Sequence, residues 1–216
     1  MAKQELISAD WSPFEVKLLN TVDIFLHKLA IMKKAEANLT ALKQEVIKTL
    51  SQAPHPCPPE SDIVIWQIVR GENHKGCPVI SLDMPQMFSK SQMFTYRTLF
   101  WWGHNLIFSL ILKQDNQDPL IEKLIQLKEH PEWEDIQLAI APTPWEWGKG
   151  MNNFIPLFGT SDMKIRYTIN SVKYIKICRF YSLASSEFPK LNWTDAGLAT
   201  WKTLSSVCAD WKQTQP

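Results

Sequence analysis

Two histidine–cysteine pairs have the spacing that most readily suggests metal chemistry. They read H-x-C, sixteen intervening residues, then H-x-x-C, and the four side chains are His55, Cys57, His74 and Cys77. Two nitrogen and two sulfur ligands suit tetrahedral zinc. However, a strand predicted over 62–70 would hold the pairs about 27 Å apart unless the preceding segment doubles back. We therefore predict no metal and no cofactor, with a zinc site on these four residues as the alternative.

A second group of residues resembles the metal site of phosphodiester-cleaving enzymes. Asp162 and Lys164 form an Asp-x-Lys pattern, and Glu146 upstream offers a further carboxylate. Metal-dependent nucleases hold magnesium with such carboxylates and place the lysine beside them on a strand. Asp162 is also an ordinary turn residue. The primary prediction therefore contains no catalytic residue, and a metal-dependent nuclease using Glu146, Asp162 and Lys164 is the alternative function.

The segment 161–181 is predicted to carry a basic surface. Read as a hairpin that turns at Asn170 and Ser171, it places alternate residues on one face. That face would hold four cations: Lys164, Arg166, Lys173 and Arg179. Such a face could bind nucleic-acid phosphates or an acidic partner, although it is also typical of the solvated side of an antiparallel sheet.

Aromatic residues mark a third candidate. The chain contains 10 tryptophans, a residue type enriched in binding surfaces. The irregular stretch 142–159 carries Trp145, Trp147 and Phe154, and a loop of that length is more often functional than idle. We predict that these three side chains belong to a binding surface.

His104 lies in the most apolar run of the chain, Phe94–Leu112. Its Arg-x6-His spacing from Arg97 also occurs in a helical class of RNA-cleaving domains, but the surrounding sequence is β-rich. We therefore interpret His104 as a turn residue that hydrogen-bonds locally, and include it among the candidate binding residues.

The composition of the chain argues against long-range attraction to polyanions, against a membrane span and against secretion. The 216 residues carry a formal net charge of +1 and are 45% hydrophobic, as expected of a globular protein without long-range steering toward polyanions. No apolar run reaches the roughly 18–20 residues of a membrane span. The first residues lack the apolar core of a secretion signal. These features predict a cytoplasmic protein with free thiols and no membrane association.

The N-terminal region 12–51 is predicted to be helical. Ser12, Pro13 and Glu15 give a capped start with proline at the first helical position. The polar residues 33–36 favour a break, which would give a helical hairpin packed on the sheet. The alternative is one projecting coiled-coil arm, which would imply a homodimer.

The other elements complete an α+β fold. Hairpin signals predict strands at 62–70 and 78–84, while the apolar run predicts either two strands turning at 103–105 or one bulged strand. We expect a single domain, 1–216, with a mainly antiparallel sheet of about six strands. Its elements are the helical region 12–51, a β-rich core 61–181 with a strand at 135–141 and an inserted helix 119–128, and a C-terminal helix 194–212, the helices packing on one face.

These observations favour a non-enzymatic binding or regulatory protein. Its aromatic and basic groups would be presented to a protein partner or a small ligand.

Overall fold

A computed structural model describes residues 10–52, 65–89, 91–150 and 152–209. Its helices are α1 (Pro13–Leu19), α2 (Asp23–Gln52), α3 (Asp118–Leu127), α4 (Asp162–Val172) and α5 (Trp193–Ser205). Its strands are β1 (Gln67–His74), β2 (Cys77–Phe88), β3 (Met93–Trp101), β4 (Asn105–Lys113), β5 (Gln137–Ala139), β6 (Phe154–Pro156) and β7 (Ile175–Ser182). Short 3₁₀ turns occur at Pro131–Trp133, Phe188–Lys190 and Ser206–Cys208.

The strands form one antiparallel sheet in the order β1-β2-β3-β4-β7-β5-β6. The predicted α+β class with a mainly antiparallel sheet is confirmed, and the sheet has seven strands in the described residues. The inserted helix and the C-terminal helix are also found, as α3 and α5, and the predicted strand 135–141 is the shorter β5.

The N-terminal region is two helices, and the predicted position of the break is wrong. Ser12 and Glu15 form the expected capping box. The break follows α1, where the Asn20 side chain donates to the Val16 carbonyl (2.8 Å) and the Thr21 hydroxyl donates to the Lys17 carbonyl (2.9 Å). α2 then runs unbroken through 33–36. No helix in the described ranges combines the length and the apolar character that a bilayer crossing requires.

The apolar run Phe94–Leu112 is a hairpin of β3 and β4, the first of the two predicted forms. Gly103 lies in its turn with a φ of +77°, a backbone angle that costs glycine little. β1 and β2 form the other predicted hairpin, although residues 62–64 of its first strand lie outside the described residues.

The predicted hairpin over 161–181 is wrong, because its first half is the helix α4. Ile165, Thr168 and Ile169 are its buried residues, and this i, i+3, i+4 spacing is helical. The alternation of Ile165, Tyr167 and Ile169 had favoured a strand, but Tyr167 is 75% exposed. The chain reverses at Lys173, whose φ is +64°, and β7 pairs with β4 and β5.

The sheet has two unlike faces. α2 and α5 cover the helix face, which includes Ile80, Leu82, Phe94, Tyr96, Phe108, Leu110 and Ile177. The second face carries Val79, Leu99, Trp101, Ile107, Ile111 and Cys178, with the polar residues Ser81, Asp83, Arg97 and Lys176 at positions of the same parity.

Candidate functional site

A groove of about 280 Å³ opens on the second face, at its β1 end. We call it the second-face groove. Its lining comes from three adjacent strands and from residues 140–150, and we call the latter segment the covering loop. The lining residues are Val69, Gly71, His74, Val79, Ser81, Arg97 and Leu99 from the strands, with Trp145 and Trp147 from the covering loop.

Lys176 fixes the covering loop to the sheet. Its Nζ donates to the carbonyl oxygens of Pro144 (2.9 Å) and Glu146 (2.7 Å). The same ammonium lies 3.3 Å from the ring centroid of Trp147 and 5.1 Å from that of Phe154. Because Lys176 is fully buried, these contacts replace the hydration that the ammonium loses.

Burial also shifts the acid–base equilibria of this strand. Desolvation, assisted by the neighbouring charge of Arg97, lowers the pKa of Lys176 to about 8. Burial raises the pKa of the Cys178 thiol to about 12. At pH 7 Lys176 is therefore mostly the ammonium, the form that the two carbonyls and the aromatic ring favour.

Tyr174 gives the covering loop a second attachment. Its hydroxyl donates to the Ala141 carbonyl at 2.6 Å and lies 3.1 Å from the Thr143 carbonyl oxygen. Tyr174 therefore holds the segment 143–146 at Thr143, and Lys176 holds it at Glu146. These two attachments restrict the positions that Trp145 can take.

An ion pair lies beside the groove: the side chain of Asp83 is 1% exposed, that of Arg97 is 16% exposed, and Arg97 lines the groove. Arg97 donates from Nε to one carboxylate oxygen of Asp83 (2.7 Å) and from Nη2 to the other (2.8 Å). The Arg97 guanidinium lies 4.7 Å from the ring centroid of Trp145 and 5.6 Å from that of Trp147. Trp147 is only 3% exposed, whereas Trp145 is 40% exposed. Of these two predicted binding residues, Trp145 is exposed to solvent and Trp147 is buried.

His104 lies at the exposed turn of the β3–β4 hairpin and stacks on Trp101 with 3.8 Å between ring centroids. On the other side of Trp101, His74 makes an edge contact at 4.9 Å, and the Trp101 ring N–H donates to the His74 carbonyl (3.2 Å). Burial, followed by the charge of Lys75, lowers the pKa of His74. Among these three residues, His74 lines the groove.

The residues of the nuclease alternative lie in different local structures. Asp162 and Lys164 are in the first turn of α4, so their predicted strand position is wrong. Asp162 contacts Lys128 (3.4 Å), and Glu146 accepts a hydrogen bond from Lys75 (2.6 Å). Across the described ranges no group of three or more His, Cys, Asp or Glu side chains could hold a metal ion.

Half of the zinc alternative lies outside the described residues, namely His55 and Cys57. His74 and Cys77 are opposite each other at the end of the β1–β2 hairpin. Two possible ligands are therefore close together, and the other two are untested.

The prediction that four cations share one basic face is wrong, because these side chains point in different directions. Lys164 and Arg166 are two residues apart on a helix and point to different sides. Arg166 pairs with Glu122, and Arg179 pairs with Asp135 and contacts Thr200 of α5 on the helix face. Lys173 is exposed at the end of α4. These four cations do not form one surface.

Sequence reasoning missed Asp83, Arg97 and Lys176 as site residues. A sequence signal exists for Lys176, which lies between Ile175 and Ile177 in a strand with apolar residues on both faces. A charged residue in such a run must be buried with partners. Which partners it would have could not be read from the sequence, because they are backbone carbonyls of an irregular loop.

The groove combines apolar walls, one guanidinium and an indole that is 40% exposed, a set of groups that can contact an apolar or aromatic side chain. Comparisons with protein-family models, with curated proteins and with solved structures found no match to this chain.

Proposed function

We propose that the chain is a non-enzymatic binding protein that takes an extended segment of a partner protein into the second-face groove. The observation that carries this proposal is Trp145, a large aromatic side chain left 40% exposed at the mouth of a groove. Tryptophan and arginine are the residue types most enriched among those that dominate binding energy. Here Trp145 lies on Arg97, with both contacting the same open space.

The edge position of β1 supports an extended partner. β1 pairs only with β2 among the described strands, so its outer backbone groups can pair with an added strand. Val69 and Gly71 of β1 line the groove. Alternate side chains of an added strand would point to the same face, where an apolar or aromatic side chain would reach Trp145.

Gly71 keeps this end of the groove open. A Cβ atom at position 71 would lie 2.8 Å from Cγ2 of Val79, which is too close for an undisturbed contact. Both residues line the groove, so a side chain at position 71 would narrow it.

The attached covering loop favours affinity. Ordering a flexible loop on binding costs free energy, and Lys176 and Tyr174 already hold this loop in place. The partner would therefore meet Trp145 in a fixed position.

A displayed library of random peptides tests the proposal against the purified chain. We expect enriched peptides with aromatic or long apolar residues, and Trp145→Ala should weaken their binding about tenfold or more. Trp66→Ala is the matched control, because Trp66 is 44% exposed and lies under the Lys43 ammonium, outside the groove. The control should bind as the wild type does.

Two outcomes would overturn the proposal. One is that no peptide is enriched, or that the selected peptides bind Trp145→Ala and wild type equally. The other is metal-dependent cleavage of DNA or RNA in magnesium or manganese that is lost in Asp162→Ala and Lys164→Ala, which would establish the nuclease alternative instead.

A further inference from the structure

The N-terminal arm, residues 10–34, exposes an unusual amount of apolar surface. Every residue of α1 is exposed, and the first buried residue of α2 is Ala35. Eleven large apolar side chains of the arm are between 40% and 76% exposed: Trp11, Phe14, Val16, Leu18, Leu19, Val22, Ile24, Phe25, Leu26, Leu29 and Ile31. Scattered single apolar residues are normal on a surface, but a contiguous set marks an interaction site.

Part of this set forms a regular stripe at the start of α2. Val22, which directly precedes α2 and accepts hydrogen bonds from the Phe25 and Leu26 N–H groups, begins an i, i+3, i+4, i+7 spacing that Phe25, Leu26 and Leu29 continue. At 100° per residue, the stripe is turned about a third of a turn away from the face of Leu39, Leu42 and Val46 that packs on the body of the protein. The packing of α2 on the sheet therefore leaves the stripe uncovered.

We propose that the stripe pairs with the same stripe of a second copy of this chain, with the two α2 helices antiparallel. The order of its apolar positions is the same from either end. A two-fold axis between Phe25 and Leu26 therefore places Val22 opposite Leu29 and Phe25 opposite Leu26. Such self-complementary contact is what a symmetric dimer requires.

The charges of the arm agree with the antiparallel direction. Residues 10–23 contain three acidic residues and one lysine, whereas residues 24–34 contain three lysines and no acidic residue. Antiparallel pairing places the acidic end of each arm beside the basic end of its partner. Parallel pairing would place like charges together, which is unfavourable.

The stripe alone is smaller than a standard interface. At roughly 100 Å² each, its four side chains offer about 400 Å² per chain, compared with about 800 Å² per partner in a standard interface. We expect the exposed apolar side chains of α1 to supply the rest of the contact. The arm is also held in place, because Lys28 pairs with Glu72 of β1 and Arg70 of β1 pairs with Glu36 of α2.

Other occupants fit less well. Residues 1–9 contain only two large aliphatic side chains, Leu6 and Ile7, besides the initial methionine, too few to cover the arm. A helix that lies on a lipid surface has one apolar face and a strongly charged opposite face. The arm instead has acidic residues at one end, and Ile24 and Ile31 lie off the stripe.

Light scattering after size exclusion, over a range of concentrations, measures the predicted dimer in the full chain. Phe25→Glu with Leu26→Glu should weaken dimerisation about a hundredfold, since both lie at the proposed two-fold axis. Met163→Glu with Tyr167→Glu is the matched control. These α4 residues are 79% and 75% exposed, and the control should remain dimeric with the wild-type helix content.

Charge reversal tests the direction. The proposed two-fold axis places Asp23 opposite Lys28, so Asp23→Lys should weaken the dimer about tenfold at low salt and little at 1 M salt, and adding Lys28→Glu should restore part of the loss. No effect of the reversal at low salt would overturn the antiparallel arrangement. A monomer at every concentration would overturn the dimer, as would a monomer that binds phosphatidylserine vesicles and loses that binding in Phe25→Glu with Leu26→Glu.

Discussion

The two faces of the sheet are closed by different means. On the helix face, α2 and α5 pack apolar and aromatic side chains against the strands, and the buried Tyr96 hydroxyl donates to the Gly197 carbonyl (2.7 Å). On the second face, an irregular loop lies over Asp83, Arg97 and Lys176. The helix face is apolar almost throughout except for Arg179, which pairs with Asp135, whereas the second face buries Asp83 and Lys176.

The backbone of the covering elements explains this difference. A helix satisfies its own N–H and C=O groups, so an apolar surface can cover it. An irregular loop leaves carbonyls without partners, and each needs a donor when it is buried. Lys176 supplies donors to two such carbonyls, and Tyr174 supplies one to a third. The charge beneath the loop is therefore a requirement of the loop and not evidence of catalysis.

The largest effect on stability is expected when one buried tryptophan is removed from each face of the sheet. Trp147 packs on Lys176 beneath the covering loop, and Trp201 of α5 makes edge contacts with Phe94 and Tyr96. We expect Trp147→Ala and Trp201→Ala each to lower the free energy of unfolding by about 3–5 kcal/mol, because both leave large cavities. Urea unfolding gives this value.

Hydrogen exchange separates the two variants. Trp147→Ala should speed exchange in residues 140–150 selectively, whereas Trp201→Ala should speed exchange across β3 and β4. A cost below about 1 kcal/mol for Trp147→Ala would show that the covering loop is not part of the core.

The sequence predicted the helix face far better than the second face. A continuous apolar run identified the strands of the β3–β4 hairpin, proline signals marked α3, and amphipathic spacing identified α5, whose buried residues lie in the core of the helix face. The hairpin prediction over 161–181 was wrong in its first half. Ile165 and Ile169 are four residues apart, and this spacing fits one face of a strand as well as one face of a helix. The helix prevails because residues 165, 168 and 169 pack together as one stripe.

The candidate site was predicted only in part. Trp145 was identified because a tryptophan within a long irregular segment is an unusual sequence feature and is typical of a binding loop. The pairing of Asp83 with Arg97 depends on the register of β2 against β3, which the sequence does not specify because an irregularity between Asp83 and Gln86 shifts that register.

A second prediction concerns the donors that hold the loop. Lys176→Met keeps most of the side-chain volume but removes the ammonium, so the Pro144 and Glu146 carbonyls lose their partner. We expect a loss of about 2–3 kcal/mol in unfolding free energy and faster proteolysis within residues 140–150. Lys173→Met is the control, because Lys173 is exposed and its replacement should change stability by no more than about 0.5 kcal/mol. Equal effects at the two positions would contradict the attachment.

The smallest predicted effect is a pH dependence that the helix face should not show. Burial lowers the pKa of Lys176 to about 8 from the ordinary value of 10.5. Between these values the unfolded chain binds more protons at this position than the folded chain does, so stability rises with pH. The free energy of unfolding of wild type, minus that of Lys176→Met, should therefore increase by about 0.5–1 kcal/mol between pH 8 and pH 9.

The subtraction is needed because Cys178 acts in the opposite direction. Burial raises the pKa of its thiol to about 12 from 9.0, so above pH 9 the unfolded thiol loses its proton first and stability falls. Both proteins contain Cys178, and its contribution largely cancels in the difference. If the unfolding free energy of wild type minus that of Lys176→Met stays constant from pH 7 to pH 9, water reaches Lys176. The second face would then be an open loop resting on a solvated sheet, and the distinction between the two faces would disappear.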